Sequence, residues 1–434
     1  MKTTFEEFKH PSQQDWISAL EKELKGTPLE KVLKFSNEIE QLELTTYQGK
    51  KNTNSTIGEF PFTSSYFKTA NEWLIGVEID VEDEISANVK ALQLLELGAN
   101  SLNFKLNTET VDLSILLKGI HFEYIDLSFE VINQLQKDTI NTFFTLKSYK
   151  ALRFKHTPLS TEDEQEFINY KSENSFLING YDLFERGANC AQELAYALSL
   201  GHEYLLKGIH PKSIHFQFGI GSNYFIEIAK FRTFRTLWST IIRTYSFADH
   251  ATYIIGKTGF VHRSIKDSST NYIRQTIETL AGVLGGVDEI ITQPHDLLSN
   301  TGPSQLSERM AINCALLLQE EAHLKNVLDA YGGGHAIEEC TYQLSERTWK
   351  EFKKIDQLGG IFTQNSKEYL REELIATRTL RMKQIVDKKQ SFIGINQYLN
   401  ESETSDFWLI PMDAILGLQP FVLEYEYLLT HHKK

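Results

Sequence analysis

The chain has 434 residues, of which 41% are hydrophobic and 24% are charged, and its formal net charge is −14. This is ordinary globular composition, and a surface this acidic repels nucleic-acid phosphates and anionic lipid, which argues against nucleic-acid and membrane partners. The three cysteines stand far apart, the N-terminus lacks the apolar core of a signal peptide, and no uncharged stretch reaches membrane-spanning length; we therefore expect a cytoplasmic protein without disulfides or transmembrane helices.

Residues 1–70 have the pattern of an N-terminal arm. Four apolar residues recur there at helical spacing: Trp16, Ile17, Leu20 and Leu24. This spacing predicts one amphipathic helix, which is followed by a polar stretch rich in Asn and Thr at 50–56. We expect the arm to pack either on its own chain or on a partner.

From Asn71 onward, strand-like apolar runs alternate with helix-like stretches. The predicted strands lie at 73–79, 101–106, 123–129, 142–148, 176–180, 214–221, 252–258 and 289–294. The predicted helices lie at 85–100, 113–118, 162–170, 224–245, 272–284 and 306–328. One further helix is predicted to follow the fifth strand and to run through residue 206. The alternation repeats about eight times, which is the number of units in a (β/α)₈ barrel.

We therefore predict an α/β fold with a TIM barrel over residues 71–330. The alternative is a doubly wound open sheet, which usually carries a Gly-rich turn after its first strand. Here the acidic run EIDVEDE occupies that place and would repel a pyrophosphate, so the barrel is favoured. Residues 331–434 lack strand alternation, and we expect a C-terminal helical extension with helices at 343–358 and 366–388, followed by irregular chain.

The end of the fifth predicted strand, FLINGYDLFERG (176–187), is the most informative junction. Active sites of such barrels lie at the C-terminal ends of the strands, so Tyr181 and Asp182 are candidates for substrate binding or proton transfer. The structural alternative is that Tyr181 packs at the barrel mouth while Asp182 caps the next helix, because Asp is a good N-cap. Spacing alone favours this alternative.

The junction after the sixth strand, FGIGSNYF (218–225), is a second candidate. Gly219 and Gly221 permit close approach to the backbone, and Ser222 or Asn223 is placed to cap a helix whose free N–H groups would bind an anion. Glycine is common at strand–helix turns, so this signal is weak by itself. The histidines show no HExxH or HxH spacing, and we expect no metal site.

Three stretches resemble the methylmalonyl-CoA mutase family. INGYDLFERGANCAQELAY (178–196) is similar to the family's G-Y-H-x-x-E-A-G-A and the E-x-A-Y helix that follows, and FGIGSNYFIEIAKFRTFRTLW (218–238) is similar to G-x-x-F-F-x-E-I-A-K-x-R-A-x-R-x-L-W. STNYIRQTIETLAGVLGGVDEI (269–290) resembles Y-N-N-V-x-R-T-x-I-E-A-x-A-A-x-x-G-G, and LLLQEEAHLKNVLDAYGGGHAIEE (316–339) continues it. Several motifs in the right order make the resemblance specific.

The resemblance implies a particular chemistry. In this family the acyl-CoA substrate threads a TIM barrel, and adenosylcobalamin binds a separate C-terminal domain through the histidine of a D-x-H-x-x-G motif. Homolysis of the cobalt–carbon bond starts the interconversion of methylmalonyl-CoA and succinyl-CoA, a reaction of propionate metabolism. The cofactor supplies that chemistry, while the protein orients the substrate and excludes side reactions.

This sequence departs from the family pattern at the catalytic points. It contains no D-x-H, and we expect no flavodoxin-like cobalamin domain in this chain. The family's Tyr-His pair is Tyr181-Asp182 here, and an ionised Asp cannot donate a hydrogen bond to the thioester carbonyl. The family's R-T-H-S-Q-T-S-G aligns with YIIGKTGF (253–260), so that an arginine that helps hold CoA phosphate becomes Tyr253, with Lys257 as a compensating cation.

The resemblance thus points to the small, non-catalytic subunit of a heterodimeric mutase. Tyr181 and Asp182 are then a vestigial site, and the expected remnants of the substrate or CoA pocket are Tyr253, Lys257, Gly219, Gly221 and Asn223. The expected partner is a catalytic large subunit that holds adenosylcobalamin, and we expect the arm to make subunit contacts. Without the large subunit, a homodimer is expected.

Two alternatives stay open. In the first, the chain is the barrel half of a split acyl-CoA mutase whose cobalamin domain is a separate chain. In the second, it is a stand-alone acyl-CoA-binding barrel. Bulky residues in the predicted strands, such as Phe104, Phe144 and Phe218, hint at a filled barrel axis.

Overall fold

Eight parallel strands close into a barrel at the centre of the chain. The computed structural model describes residues 12–29, 34–45, 70–147, 152–156, 175–247, 252–399 and 414–431. The barrel strands are β3 (Leu74–Val81), β4 (Ser101–Leu106), β5 (Asp126–Glu130), β6 (Leu152–His156), β7 (Ser175–Asn179), β8 (Ile214–Ile220), β9 (Ile254–Thr258) and β10 (Glu289–Ile291). Each strand pairs in parallel with the next, and β10 pairs with both β9 and β3, which closes the sheet. The TIM-barrel prediction is confirmed.

Helices alternate with these strands and continue beyond them. Within the barrel they are α2 (Glu84–Glu96), α3 (Leu113–Leu116), α4 (Gln134–Lys147), α5 (Tyr181–Phe184), α6 (Cys190–Leu206), α7 (Tyr224–Thr244), α8 (Ser268–Leu284) and α9 (Gln305–Glu320). The extension contains α10 (His335–Gln357), α11 (Gln364–Val386) and α12 (Leu423–His431), and the arm contains α1 (Gln13–Glu23). The amphipathic helix predicted for the arm is confirmed, whereas α12 forms where irregular chain was expected.

The fourth strand was predicted at the wrong place. Residues 142–147 belong to α4, and the strand follows at Leu152–His156. The run TFFTL is short and apolar, and periodicity alone does not separate a buried strand from a helix segment of this length. The predicted helix at 162–170 lies outside the described residues, and α9 ends at Glu320 rather than near 328.

The bulky residues expected to fill the axis lie between the barrel and its helices. Phe218 contacts the ring of Phe234 on α7, with 4.6 Å between ring centroids. Phe104 stacks on Phe129, which in turn contacts Phe144 on α4. This outer layer belongs to the main core, so these rings do not fill the axis as their size had hinted. The sequence left this question open, because the face on which a strand residue lies cannot be read before the register is known.

The apolar core inside the barrel is small. It consists of Leu177, Tyr253, Ile255 and Ile291, with Leu74 packed against them. Parallel strands of a small barrel usually fill their interior with such side chains. Above this floor the strands turn polar side chains inward, and the axis opens toward the C-terminal ends of the strands.

Part of the arm docks on the chain's own helices. Strands β1 (Lys34–Asn37) and β2 (Leu42–Thr45) form an antiparallel hairpin. Glu40 accepts the backbone N–H of Cys190 at the start of α6 at 2.8 Å, and the Gln343 side chain of α10 donates to the Glu43 carbonyl at 2.7 Å. The hairpin therefore closes on its own barrel rather than extending away from it.

The C-terminal segment, defined here as residues 414–431, returns to the barrel mouth. Phe421 donates its N–H to the Glu185 carbonyl at 2.7 Å, and Leu423 donates to the Val261 carbonyl at 3.1 Å. The segment thus lies across the turns that follow β7 and β9. Apart from the barrel, the hairpin is the one sheet in the described ranges, and no flavodoxin-like sheet occurs there.

Within those ranges, none of the helices combines the length and the apolar character that crossing a bilayer requires.

Candidate functional site

A cavity of about 670 Å³ opens at the C-terminal ends of the barrel strands. Its polar wall is formed mainly by Glu78, Asp80, Asn103, Lys105, Ser128, Glu130, Tyr181, Asp182, Gln217, Lys257 and Gln293. This is the end of the barrel at which TIM-barrel proteins place their binding sites, and the volume is that of a small-molecule pocket. The axis is therefore open at this end.

Tyr181 and Asp182 both line this cavity. They begin the one-turn helix α5, whose N-cap is Gly180, whereas the long helix α6 is capped by Asn189 in a capping box with Gln192. The alternative that Asp182 caps the long helix was therefore wrong. Arg186 lies behind Asp182, with 3.8 Å between guanidinium and carboxylate, and donates to its carbonyl.

Lys257 is held by groups of this chain. Its ammonium lies 2.6 Å from a carboxylate oxygen of Glu78 and 4.1 Å from the ring centroid of Tyr181. Gln293 donates to the same Glu78 oxygen at 3.1 Å. Burial, followed by the charges of Glu185 and Glu78, raises the pKa of Tyr181 well above its usual value, so the phenol stays neutral. The Lys257 ammonium is therefore paired with a carboxylate of its own chain.

Glu185 lies behind Tyr181 and carries a perturbed carboxyl group. It accepts the N–H of Phe260 at 3.1 Å, and burial raises its pKa from 4.5 to about 8. The folded chain therefore holds a proton that the unfolded chain releases above about pH 4.5. The stability from this proton is fully present below that pH and is lost as pH rises toward 8.

Replacing Glu185 with Gln is expected to remove this pH dependence. Glu193 and Glu278, with pKa values raised to about 7, titrate in the same range in both chains, so the difference between the native chain and E185Q between pH 7 and 8 reports on Glu185. In that window the native chain should lose about 1 kcal/mol of unfolding free energy that E185Q keeps. Urea titrations at pH 6, 7, 8 and 9 measure this, with E346Q on the exposed face of α10 as control. Parallel pH profiles of native chain and E185Q would contradict the assignment.

Tyr253 lies apart from the cavity wall, at the floor of the barrel. Its hydroxyl donates to Glu289 at 3.0 Å, and Asn103 donates to the other Glu289 oxygen at 2.9 Å. The Ser128 hydroxyl donates to the side-chain amide oxygen of Asn103. Tyr253 thus belongs to a buried polar network inside the barrel.

Gly219 is packed too tightly to admit a ligand. A Cβ at this position would lie 2.2 Å from the ring of Phe184. Its N–H donates to Glu193 at 2.7 Å and its carbonyl accepts the Lys230 ammonium at 2.5 Å. The glycine is needed for close packing of α5 on β8.

Gly221 and Asn223 border a separate small cavity of about 30 Å³. Asn223 is the N-cap of α7 without a side-chain capping bond, and Glu227 occupies the first turn of that helix. A carboxylate at this position disfavours the anion site that the sequence suggested. The structure therefore brings Tyr181, Asp182 and Lys257 together and leaves the other four predicted residues, Tyr253, Gly219, Gly221 and Asn223, outside their cavity.

Sequence reasoning missed most of the polar wall. Glu78 and Asp80 on β3, and Asn103 and Lys105 on β4, occupy alternate positions of their strands. Polar residues at every second position of an otherwise apolar strand were the available signal, because alternate residues share one face. Among the described side chains, no three His, Cys, Asp or Glu residues lie close enough together to hold a metal ion.

The chain is a closed (β/α)₈ barrel with a polar cavity at the C-terminal ends of its strands. This is the place at which TIM-barrel enzymes bind their ligands. The sequence profile described as methylmalonyl-CoA mutase matches residues 130–416. The chain belongs to the methylmalonyl-CoA mutase family.

The similarity to one relative extends over nearly the whole chain. The methylmalonyl-CoA mutase small subunit of Porphyromonas gingivalis is 30% identical, over 92% of this chain and 72% of that protein. The methylmalonyl-CoA mutase of Rhizobium meliloti is 32% identical over 53% of this chain, and the large subunit from P. gingivalis is 28% identical over 62%. This chain spans only 34% and 39% of the lengths of these last two proteins.

Proposed function

We propose that this chain is the small, non-catalytic subunit of a heterodimeric methylmalonyl-CoA mutase. A catalytic large subunit would bind adenosylcobalamin and isomerise methylmalonyl-CoA and succinyl-CoA in the cytoplasm. The similarity to a small subunit along nearly the full chain supports this role, as does the occurrence of a large subunit in the same organism as that relative.

The observation that carries the proposal is Asp182 on the cavity wall. The family's histidine at this place contacts the thioester carbonyl, whereas a carboxylate offers that oxygen only repulsion. Glu78, Asp80 and Glu130 surround the same cavity, so the phosphates and the thioester of an acyl-CoA would meet carboxylates. These carboxylates would repel the anionic substrate of the family.

The described residues do not fit adenosylcobalamin either. The sequence has no D-x-H motif to supply the cobalt ligand. His262 is packed between the rings of Phe184 on α5 and Phe392, and burial lowers its pKa to about 3. No catalytic step is therefore assigned to this chain.

Co-expression with a large subunit of the family tests the proposal. We expect a stable pair on size-exclusion chromatography, mutase activity in the pair with adenosylcobalamin, and none from this chain alone. The large subunit by itself is the control for activity and solubility. Activity of this chain alone, or failure to form any pair, would sink the proposal.

A second candidate is the barrel half of a split mutase, which the open axis favours. Supplying a separate cobalamin domain to the variant D182H distinguishes the two. Turnover in that mixture supports a split enzyme, whereas binding of acyl-CoA without turnover would indicate a stand-alone acyl-CoA-binding barrel.

A further inference from the structure

The helix α8 turns its polar side toward the barrel and an apolar side outward. Its buried positions include four polar residues: Asn271, Gln275, Glu278 and Thr279. Ile273 and Ile277 lie on the opposite side of the helix and are 61% and 43% exposed. A helix that packs on a core normally turns its apolar stripe inward. The outward stripe of α8 is therefore exposed where burial is the rule.

Contacts on the inward side fix the rotation of α8 about its axis. The Glu278 carboxylate pairs with Arg263 at 2.6 Å. The Asn271 side chain donates to the Ser264 carbonyl at 2.7 Å and accepts the Ser264 N–H at 2.8 Å. Because these buried polar groups are held by partners in the barrel, the apolar stripe has to face outward.

The neighbouring helix α9 adds a second stripe. Leu306, Met310 and Leu317 follow one another at helical spacing, and the two leucines are 61% and 44% exposed. The Cys314 thiol on α9 is hydrogen-bonded to the Thr276 hydroxyl on α8, so the two helices pack directly against each other. Both helices follow parallel strands, so they run in the same direction, with the two stripes side by side and a groove between them.

The two stripes together form the α8–α9 face, defined as Ile273, Ile277, Leu280, Leu284, Leu306, Met310 and Leu317. The exposed surface of α8 carries little charge, because its two charged residues are engaged elsewhere: Arg274 donates to the Ile393 carbonyl, and Glu278 is buried. On α9 the exposed Arg309 flanks the stripe. Depletion of charge at the centre of an exposed apolar surface is typical of a protein–protein interface.

Charge favours a second copy of this chain as the occupant. The chain has a net charge of −14, so two copies repel each other wherever both present acidic surface. The α8–α9 face is apolar and nearly neutral, and two copies can meet there without that repulsion. A face that is complementary to itself pairs about a two-fold axis.

The size of the α8–α9 face also suits such a pair. The two helices have 17 and 16 residues, which makes each about 25 Å long. Two neighbouring helices present a face about 20 Å wide. Each copy therefore offers about 500 Å² in projection, and a symmetric pair offers about 1,000 Å², which is the size at which specific interfaces begin.

We propose that two copies of this chain form a homodimer through the α8–α9 face. The two helices of one copy pack on the two helices of the other across a two-fold axis, in a four-helix arrangement. Ile273, Ile277 and Leu306 then become buried. This contact goes beyond the proposed subunit function, because it requires this chain alone.

Sedimentation equilibrium of the purified full chain tests the proposal. We expect a dimer with a Kd in the micromolar range that is not weakened by high salt, because the contact is neutral and salt screens the repulsion between acidic surfaces. I273E and L306E should each raise the Kd about tenfold or more, because a carboxylate would be buried at the contact. A native chain that stays monomeric up to roughly 100 µM would leave the face to another protein, such as a large subunit, and overturns the proposal.

L135E on α4 is the matched control for L306E. Leu135 is 59% exposed and lies outside the α8–α9 face, so L135E should change the Kd by no more than about twofold. Circular dichroism should give the variants the unfolding midpoint of the native chain, since each replaced side chain is mostly exposed. Equal weakening of the dimer by L135E and L306E would refute the contact.

Cross-linking at an introduced cysteine locates the contact. The three native cysteines are buried, so a bis-maleimide reagent reports on the introduced thiol. Ile277 lies in the middle part of the α8 stripe, and I277C should give a covalent dimer, whereas L135C should stay monomeric. Cross-linking of L135C but not of I277C would place the contact elsewhere and overturn the proposal.

Discussion

Replacing Lys230 with Met is expected to cost about 3–5 kcal/mol of unfolding free energy. The Lys230 side chain on α7 is fully buried, and its ammonium lies 3.1 Å from Glu193 and 2.5 Å from Glu227. Methionine preserves the length of the side chain but leaves two carboxylates in the interior without their cation. Uncompensated buried charge, rather than lost packing, is therefore the source of the effect.

Urea denaturation at pH 8.5, where the Glu193 carboxyl of the native chain is ionised because its pKa is about 7, measures this loss. K353M, an exposed lysine on α10, is the matched control and should stay within about 0.5 kcal/mol of the native chain. The double variant K230M/E193Q should recover part of the loss, because one of the stranded carboxylates becomes neutral. A loss below about 1 kcal/mol in K230M would show that the interior tolerates these charges through water or protonation.

Replacing Glu424 with Ala is expected to release the C-terminal segment at a cost of about 2–3 kcal/mol. The Glu424 carboxylate is 1% exposed and accepts the N–H groups of Ile265 and Lys266 and the hydroxyl of Ser264. Alanine leaves those buried donors of the turn after β9 without an acceptor. The segment should then be cleaved by protease before the barrel unfolds.

The neighbouring variant E426A provides the control. Glu426 pairs with Arg378 at 3.3 Å in a partly exposed position, and such a pair contributes about 0–1 kcal/mol. Limited proteolysis with mass spectrometry, together with denaturation curves, separates the two variants. Equal cleavage rates in E424A and E426A would mean that the carboxylate does not hold the segment.

Much of the fold could be predicted from the sequence, because the alternation of strand-like and helix-like segments and the turn residues between them can be read directly from the residues. The run SLNFKL gives β4 with its observed bounds, and the turn after β7 was found at Tyr181. The fourth strand failed because the apolar run at 142–147 fits a helix equally well. The run is too short for its periodicity to distinguish a strand from a helix.

The site was less predictable, because its contacts join distant parts of the chain. Lys257 and Glu78 are 179 residues apart, and only closure of the barrel brings them together. Tyr253 was expected at the CoA pocket but lies at the floor, four residues before Lys257 and on the same face of the strand. A strand position identifies the face but not the depth in the barrel until the register around the whole ring is fixed.

The docking of the N-terminal hairpin has a consequence for synthesis on the ribosome. Glu43 and Gln343, which clasp the hairpin to α10, are separated by 300 residues. At about 5–20 residues per second, the hairpin emerges roughly 15–60 s before its docking helix exists. The contact of Glu40 with α6 can form once Cys190 has been synthesised, whereas the contact of Glu43 with α10 must wait for Gln343. The hairpin therefore reaches its final position in two stages, on α6 first and on α10 last.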